Sequence, residues 1–127
     1  MIFGIGTDIV EYARIEKLYA RHGQRFAQRV LSDAELIELA THAQPARFLA
    51  KRFAAKEAFS KAVGSGLRHP VTMPRITVSH DQLGKPVLQF DERLRQYLSL
   101  AGVRAHHLSI SDERSMIVAF VVLETSA

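Results

Sequence analysis

The run MIVAFVVL, residues 116–123, is the stretch that decides the fold. Every residue in it is apolar and half are β-branched, which is typical of a strand. A strand with one solvent-exposed face alternates polar and apolar residues, so an unbroken apolar run predicts a central strand that is buried on both faces. The segment HHLSIS, residues 106–111, lies just before it across the polar turn DERS. The two segments are therefore predicted to pair as antiparallel strands.

The first residues of the chain supply another strand. The segment IFGIGTDIV, residues 2–10, is short and rich in β-branched residues. Strand alternation places Gly4, Gly6 and Asp8 on one face. Two glycines leave that face bare, so it either packs closely under a helix or makes room for a bulky group beside Asp8. The pattern alone favours the close packing.

Most of the chain between these strands has apolar residues at helical spacing. Helices are predicted at about 11–22, from Ser32 onward, at about 45–63 and over residues 91–101. Ser32 and Glu35 fit a capping box, and the glycines of GSG, residues 64–66, close the long helix. Two short strands and a hairpin turn fit residues 75–90. The sum is an α+β fold, with helices packed on an antiparallel sheet made from the start and end of one domain, residues 1–127.

Composition excludes several classes of function. The 127 residues include no cysteine, so thiolate metal sites and cysteine nucleophiles are excluded, and any metal must be held by oxygen or imidazole. We find no basic leader and no run near the roughly 20 apolar residues of a membrane span, so a soluble, cytoplasmic protein with no membrane partner is expected. The net charge of +4 favours an anionic partner, whether nucleic acid, a phosphorylated cofactor or an acidic protein.

The run FAAKEAFSKAVGSGL, residues 53–67, places Glu57 and Lys61 one turn apart on an alanine-rich helical stripe. A lone buried carboxylate costs several kcal/mol unless it is paired or bound to a cation, so Glu57 needs a partner. One interpretation is a helical Glu57–Lys61 pair, worth about 0.3–0.5 kcal/mol. The other joins Asp8 and Glu57 on one hard divalent cation, with Lys61 neutralising substrate phosphates. Spacing alone favours the helical pair.

Four segments, in this order, resemble a single family. They are GIGTDIVEYARIE at 4–16, RFAAKEAFSKAVGSGL at 52–67, LGKPVL at 83–88 and HLSISDE at 107–113. Together they are similar to the holo-acyl-carrier-protein synthases, the short single-domain 4′-phosphopantetheinyl transferases. The combination of G-I-G-x-D with F-x-x-K-E-A-x-x-K is far more specific than either motif alone. It reverses the preference for a helical pair and favours the functional interpretation of Asp8, Glu57 and Lys61.

The resemblance implies transfer of the 4′-phosphopantetheine arm of coenzyme A to a serine of apo acyl carrier protein, releasing adenosine 3′,5′-bisphosphate, in fatty acid biosynthesis. By matching motifs, Asp8, Glu57 and Lys61 are the expected catalytic set, with Mg²⁺ on Asp8 and Glu57 and the diphosphate on Lys61. The base for the serine proton stays open between a water on the magnesium, Glu57 and a substrate oxygen. The expected coenzyme A contacts are Arg52, Lys61, Gly64, Ser65, Gly66, Lys85, Pro86 and His107.

A basic ridge on the first helix is the expected docking surface for the carrier protein. From the residues alone it is a solvated helix face, and the resemblance adds that it docks an acidic helix of the carrier. The resemblance also implies a homotrimer with active sites between subunits. Asp112 stands where family members commonly carry a histidine. The ridge comprises Arg14, Lys17 and Arg21 and is continued by Arg25 and Arg29; the expected docking residues are Arg14, Lys17, Arg21 and Arg25.

Two competing functions are weighed on particular residues. A nucleic-acid-binding module is favoured by a pI near 9.8 and needs aromatic side chains that stack bases beside the cations. Tyr12, Tyr19 and Phe26 lie near the ridge, but their spacing suits a packed helix face, so no nucleic-acid partner is expected. A catalytically silent carrier-binding subunit would be expected to lack Asp8 or Glu57, and both are present.

Overall fold

A computed structural model describes residues 1–126 of the chain. The predicted α+β class is confirmed, with helices packed on an antiparallel sheet. None of the described helices combines the length and the apolar character needed to cross a bilayer. In chain order the elements are β1 (Ile2–Glu11), α1 (Tyr12–His22), α2 (Gln24–Val30), α3 (Asp33–Leu39), α4 (Pro45–Val63), a 3₁₀ turn (Met73–Arg75), β2 (Ile76–His80), β3 (Pro86–Phe90), α5 (Glu92–Ala101), β4 (Val103–Asp112) and β5 (Met116–Thr125).

The main sheet has the order β1-β5-β4, and both pairs are antiparallel. The predicted central position of the apolar strand is confirmed, because β5 lies between β1 and β4. Strand β4 begins at Val103, three residues before the predicted segment. Strands β2 and β3 form a separate two-stranded hairpin.

The prediction that β5 is buried on both faces is wrong for the single chain. Alternate residues from Ile117 to Leu123 are fully buried under the helices, but the opposite face carries Phe120, whose side chain is 44% exposed. In β1, Ile5 and Ile9 are 54% and 62% exposed on the same outer face. The apolar run therefore reflects one face packed on the helices and a second apolar face that the chain itself leaves uncovered.

Helix α4 forms the centre of the core. Pro45 occupies its first turn, and Gly64 caps its C-terminus in the left-handed conformation with φ of 91°. The predicted capping box is present at α3, where Ser32 and Glu35 each accept the other's backbone N–H. These local signals fix the start of α3 and both ends of α4.

The bare glycine face of β1 is the place where α4 packs on the sheet. A Cβ at Gly4 would lie 1.9 Å from the carbonyl oxygen of Ala62, and one at Gly6 would lie 1.9 Å from that of Ala58. No side chain fits at either position without moving the helix. The expectation of close helix packing is confirmed, and the idea that these glycines make room for a ligand is wrong.

Candidate active site

The contact between β1 and α4 brings three predicted side chains together. Asp8 follows Gly6 on the helix-facing side of β1, and Glu57 and Lys61 lie one turn apart on α4. The Lys61 Nζ lies 3.1 Å from Oδ1 of Asp8 and donates to the carbonyl oxygen of Thr7 at 3.0 Å. Lys61 therefore pairs across to the strand and not along the helix to Glu57. The simple helical pair is absent among the described ion pairs.

The alanines around Glu57 have a structural explanation. Ala54, Ala55 and Ala58 are fully buried, because α4 is packed against the sheet and the neighbouring helices. Their small size allows these close contacts, and the Ala58 carbonyl reaches Gly6 directly. Packing alone therefore accounts for the small residues around Glu57. Glu57 is half-buried at the edge of this packed region.

Electrostatics set Glu57 apart from the other acidic residues. Burial, and then the nearby negative charge of Asp8, raise the pKa of Glu57, while Lys61 and Arg14 act in the opposite direction. Two carboxylates thus share one region with a single close cation between strand and helix. Mutual repulsion of this kind is relieved by a hard cation with oxygen ligands.

The donor set fits a magnesium-type ion held partly by groups from outside the chain. Among residues 1–126, no group of three or more His, Cys, Asp or Glu side chains is arranged to hold a metal. Asp8 and Glu57 supply two carboxylates, and Mg²⁺ commonly uses one or two carboxylates together with water and substrate phosphates. The residues present therefore fit Mg²⁺ as a partner of a phosphorylated substrate.

The basic ridge borders this site. Arg14, Lys17 and Arg21 are exposed and line a groove of about 370 Å³ on α1. Arg25 and Arg29 line the rim of a neighbouring cavity of about 870 Å³ with a largely apolar floor. The positive charge of Arg14, the first residue of the ridge, helps to lower the pKa of Glu57.

The predicted coenzyme A contacts fall in three places. Gly64, Ser65 and Gly66 form the C-terminal cap of α4, where the N–H groups of both glycines donate to the Ser60 carbonyl. Lys85 and Pro86 lie where the hairpin turn enters β3, and Lys85 is exposed. His107 lies on the outer face of β4, where its Nε2 meets Oε1 of Glu124.

Arg52 is separated from these candidates by burial. Its side chain is 5% exposed, with Nε 3.6 Å from Glu35 and one terminal nitrogen 3.8 Å from Glu38. Its guanidinium lies 3.7 Å from the centre of the Phe48 ring, and burial lowers its pKa. Arg52 thus lies between the buried Glu35 and the exposed Glu38, and it is not part of the pocket proposed below.

Sequence reasoning missed Lys56, the residue next to Glu57. Its side chain is fully buried, and its Nζ donates to the Val30 carbonyl at 2.6 Å and to Oε1 of Glu35 at 2.5 Å. Burial lowers the pKa of Lys56 to about 8, and the negative charge of Glu35 acts against that shift. The available signal was a lysine between Ala55 and Glu57 in a helix rich in alanine.

Asp112 has a structural role in this chain. It accepts a hydrogen bond from Arg47 and lies 3.8 Å from the Nζ of Lys51. Arg47 also donates to the carbonyl oxygens of Glu113 and Arg114 and stacks on the ring of Tyr12 at 4.2 Å. The turn after β4 is therefore fixed to the start of α4.

Comparison with known proteins places this chain among the members of one family. A sequence profile described as the 4′-phosphopantetheinyl transferase superfamily matches residues 4–119. A holo-[acyl-carrier-protein] synthase of Laribacter hongkongensis is 60% identical over 124 residues, which cover 98% of this chain and 99% of that protein.

Two crystal structures show the same fold. The holo-[acyl-carrier-protein] synthase of Neisseria meningitidis is 48% identical, with a TM-score of 0.95 over 98% of this chain and all of the other. A holo-(acyl-carrier-protein) synthase of Bacillus anthracis, solved in complex with CoA (3′,5′-ADP), is 40% identical, with a TM-score of 0.81 over 99% of both chains.

Proposed function

Because the chain belongs to the 4′-phosphopantetheinyl transferase superfamily, we propose that it transfers the 4′-phosphopantetheine arm of coenzyme A to a serine of apo acyl carrier protein. The observation that carries this proposal is the meeting of Asp8, Glu57 and Lys61 across β1 and α4. Family resemblance adds fatty acid biosynthesis as the pathway, the cytoplasm as the location and residues 1–127 as one domain.

Asp8 and Glu57 are the proposed magnesium ligands. When bound, the ion supplies positive charge against the diphosphate and its developing negative charge. Asp8 and Glu57 hold their carboxylates within Coulomb range of each other, and the rigid packing of α4 on Gly4 and Gly6 keeps that spacing. The half-exposed ammonium of Lys61 faces solvent beside Asp8, where an incoming diphosphate can share it.

The reaction is a phosphoryl-centred displacement. The serine oxygen of the carrier attacks the phosphorus that bears the pantetheine arm, and a new P–O bond forms. The bond from that phosphorus to the bridging oxygen breaks, and adenosine 3′,5′-bisphosphate leaves with the electron pair. The serine proton passes to a base, for which Glu57, a water and a substrate oxygen are the candidates. Lys61 stabilises negative charge on the diphosphate, the role that a fixed cation has in phosphoryl transfer.

The other parts of coenzyme A are assigned to the three surface groups described above. Gly64, Ser65 and Gly66 offer an exposed helix end close to Lys61, and Lys85 adds a cation at the start of β3. Pro86 and His107 complete the proposed pocket. The carrier is proposed to dock along Arg14, Lys17, Arg21 and Arg25, because these cations are exposed and the first of them acts on the pKa of Glu57.

A homotrimer with active sites between subunits is proposed from the outer face of the main sheet. Ile5, Ile9 and Phe120 leave an apolar surface without cover in the single chain, and such a continuous patch is typical of an interface. His107 lies on the same outer face, since it pairs with Val122 while Phe120 pairs with Ser109. A subunit packed there would border His107, which explains how one pocket could use two chains.

The oligomer is tested by light scattering of the purified protein. Replacement of Phe120 by Lys should convert trimers to smaller species, because it places a charge in the middle of the apolar face. The matched change Leu83→Lys alters an exposed apolar residue of the hairpin turn and should leave the mass unchanged. A wild-type protein that is monomeric at micromolar concentration would contradict the trimer.

The activity is tested by incubation with coenzyme A, magnesium and a folded apo carrier protein. Intact-mass measurement of the carrier should show the gain of one phosphopantetheine group, and omission of magnesium should abolish the gain. A carrier in which the acceptor serine is replaced by alanine is the control. No mass gain with an authentic, folded carrier would contradict the proposed function.

A further inference from the structure

The hairpin of β2 and β3 is joined to the main sheet by side chains. Among residues 1–126 the two sheets are separate, and no backbone hydrogen bond connects β3 with β4 although the two strands pack against each other. Something other than a strand ladder must therefore fix the hairpin, which carries Lys85 and Pro86 at its turn.

Both edges of the hairpin are fastened at one residue pair. Val78 and Leu88 face each other, and each N–H donates away from the partner strand. The Val78 N–H donates to Oε2 of the buried Glu35 at 2.8 Å, and the Leu88 N–H donates to Nε2 of His106 at 3.0 Å. Opposed residues whose N–H groups point outward are the non-hydrogen-bonded pairs of an antiparallel ladder. The imidazole of His106 thus replaces the ladder bond that β4 does not make.

The ring of His106 is held in place by aromatic contacts. It meets Phe90 edge-on, with centroids 5.8 Å apart and planes at 78°, and Phe90 in turn lies 5.1 Å from the buried ring of Phe59. Phe59 is two residues beyond Glu57 on α4. Since Nε2 accepts the Leu88 N–H, the imidazole is neutral and carries its proton on Nδ1.

We propose that His106 is a positioning residue that clasps the β2–β3 hairpin to β4 and thereby holds Lys85 and Pro86 in register with His107 for coenzyme A. This inference rests on the proposed function for the last step, because the roles of Lys85, Pro86 and His107 belong to that proposal. The clasp itself is a property of the free chain and is tested without any substrate.

The clasp requires the neutral ring, and its surroundings favour that form. Burial lowers the pKa of His106, and the positive charges of His107 and Lys85 lower it further. His106 lines a cavity of about 400 Å³ together with Arg95 and Arg104, so α5 and the start of β4 add positive charge near the ring as well. The unfolded chain takes up the proton first as pH falls below about 6.5. The contribution is therefore complete above that pH and is lost as pH falls toward the folded pKa.

Two substitutions separate the hydrogen bond from the volume of the ring. His106→Leu fills the space but leaves the Leu88 N–H unpaired, whereas His106→Gln offers Oε1 as an acceptor at similar reach. His42→Leu is the matched control, because His42 also accepts a backbone N–H, from Gln44 at 3.0 Å, at an exposed site.

Hydrogen exchange of the Leu88 amide in the substrate-free protein tests the clasp. We expect exchange at least about tenfold faster in His106→Leu and near wild-type exchange in His106→Gln, because an acceptor is lost only in the first. His42→Leu should leave Leu88 unchanged. Equal exchange in the wild type and His106→Leu would overturn the clasp, whatever the protein's activity.

Steady-state kinetics test the positioning step. The KM for coenzyme A should rise about tenfold in His106→Leu with a much smaller change in kcat, and His106→Gln should restore it. In the wild type this KM should also rise as pH falls toward the folded pKa of His106, which lies below its ordinary value. Faster Leu88 exchange with an unchanged KM for coenzyme A would overturn the positioning role and leave a purely structural clasp. Absence of transfer by the wild type would contradict the proposed function and leave the exchange result intact.

Discussion

Lys56 and Glu57 are neighbours in the sequence but belong to opposite kinds of charge cluster on α4. Lys56 lies fully buried in a closed cluster with Glu35 and Arg52, where the carboxylate meets both cations and also accepts two backbone N–H groups. Glu57 lies in an open cluster with Asp8 and Lys61, where the cation pairs with Asp8 and none of the described ion pairs includes Glu57. A closed cluster satisfies its charges within the chain, whereas an open one leaves a charge for a ligand.

The difference teaches how one helix separates stability from binding. Inside a protein an unpaired charge is so costly that interior charges are matched by the fold itself. At the half-exposed edge of the helix the free-energy cost of desolvation is small enough for a carboxylate to remain without an ion-pair partner. Burial and the negative charge of Asp8 raise the pKa of this carboxylate, Glu57. Substitutions in the two clusters should therefore affect different measurements.

The largest effect is expected from the open cluster. Glu57→Gln and Asp8→Asn should each reduce the rate of transfer by about a hundredfold or more while the fold stays intact, because each removes an anionic ligand and keeps the side-chain shape. Steady-state rates at saturating substrates, with circular dichroism as a check on folding, measure this. Glu92→Gln, an exposed carboxylate on α5, is the control and should keep full activity. Near wild-type turnover in Glu57→Gln or Asp8→Asn would contradict the assignment of a binding role to the open cluster.

The closed cluster should respond in stability. Lys56→Met leaves Glu35 buried without its closest cation and should lower the free energy of unfolding by about 3–5 kcal/mol. Denaturant unfolding measures this. The control is Lys51→Met, whose partner Asp112 is 3.8 Å away and partly exposed, so its effect should stay below about 1 kcal/mol. A loss for Lys56→Met no greater than that for Lys51→Met would show that the buried cluster does not stabilise the fold.

The helix boundaries could be predicted because their signals are local. Ser32, Glu35 and Gly64 act through bonds within one helix turn, and these caps were found where the sequence places them. The ion-pair partner of Lys56 and Arg52 could not be predicted from the sequence, because Glu35 approaches them from a different helix. A helical projection shows which residues share a face but not which other element approaches it.

The structure brings together three of the candidate residues that the motifs name, in a geometry that the sequence predicts only in part. Asp8, Glu57 and Lys61 were identified through family motifs, yet Lys61 pairs with Asp8 and not along the helix. The glycines of β1 show that a face of the strand has no side chains. The sequence does not show that the backbone of α4 at Ala58 and Ala62 fills that space. The outer face of β5 is apolar yet uncovered in the single chain, which an apolar run by itself does not predict.

An intermediate effect is expected on the docking ridge. Arg14→Glu with Arg21→Glu should raise the KM for carrier protein by about tenfold or more and flatten the salt dependence of kcat/KM, because exposed complementary charges speed encounter and are screened by salt. Binding of coenzyme A should stay nearly unchanged. Loss of coenzyme A affinity with an unaltered KM for carrier would assign these arginines to the nucleotide pocket and move the docking surface elsewhere.

The smallest effect concerns pH and Glu57. The pKa of Glu57 is raised in the folded protein, so the stability linked to its proton is present at low pH and is lost as pH rises from the unfolded value of about 4.3 through the folded pKa. At neutral pH without metal, Glu57→Gln should therefore be as stable as the wild type or slightly more stable, and this gain should vanish below pH 4. Thermal unfolding across this range measures it. A variant that is less stable at neutral pH would mean that Glu57 is paired within the fold.

Magnesium binding to the complex with coenzyme A, without carrier protein, tests the open cluster most directly. Isothermal titration of Mg²⁺ should give one site per chain in the wild type and in Glu92→Gln, and no resolved binding in Glu57→Gln or Asp8→Asn, although both variants still bind coenzyme A. Wild-type magnesium affinity in either of these two variants would contradict the assignment of Asp8 and Glu57 as the metal ligands.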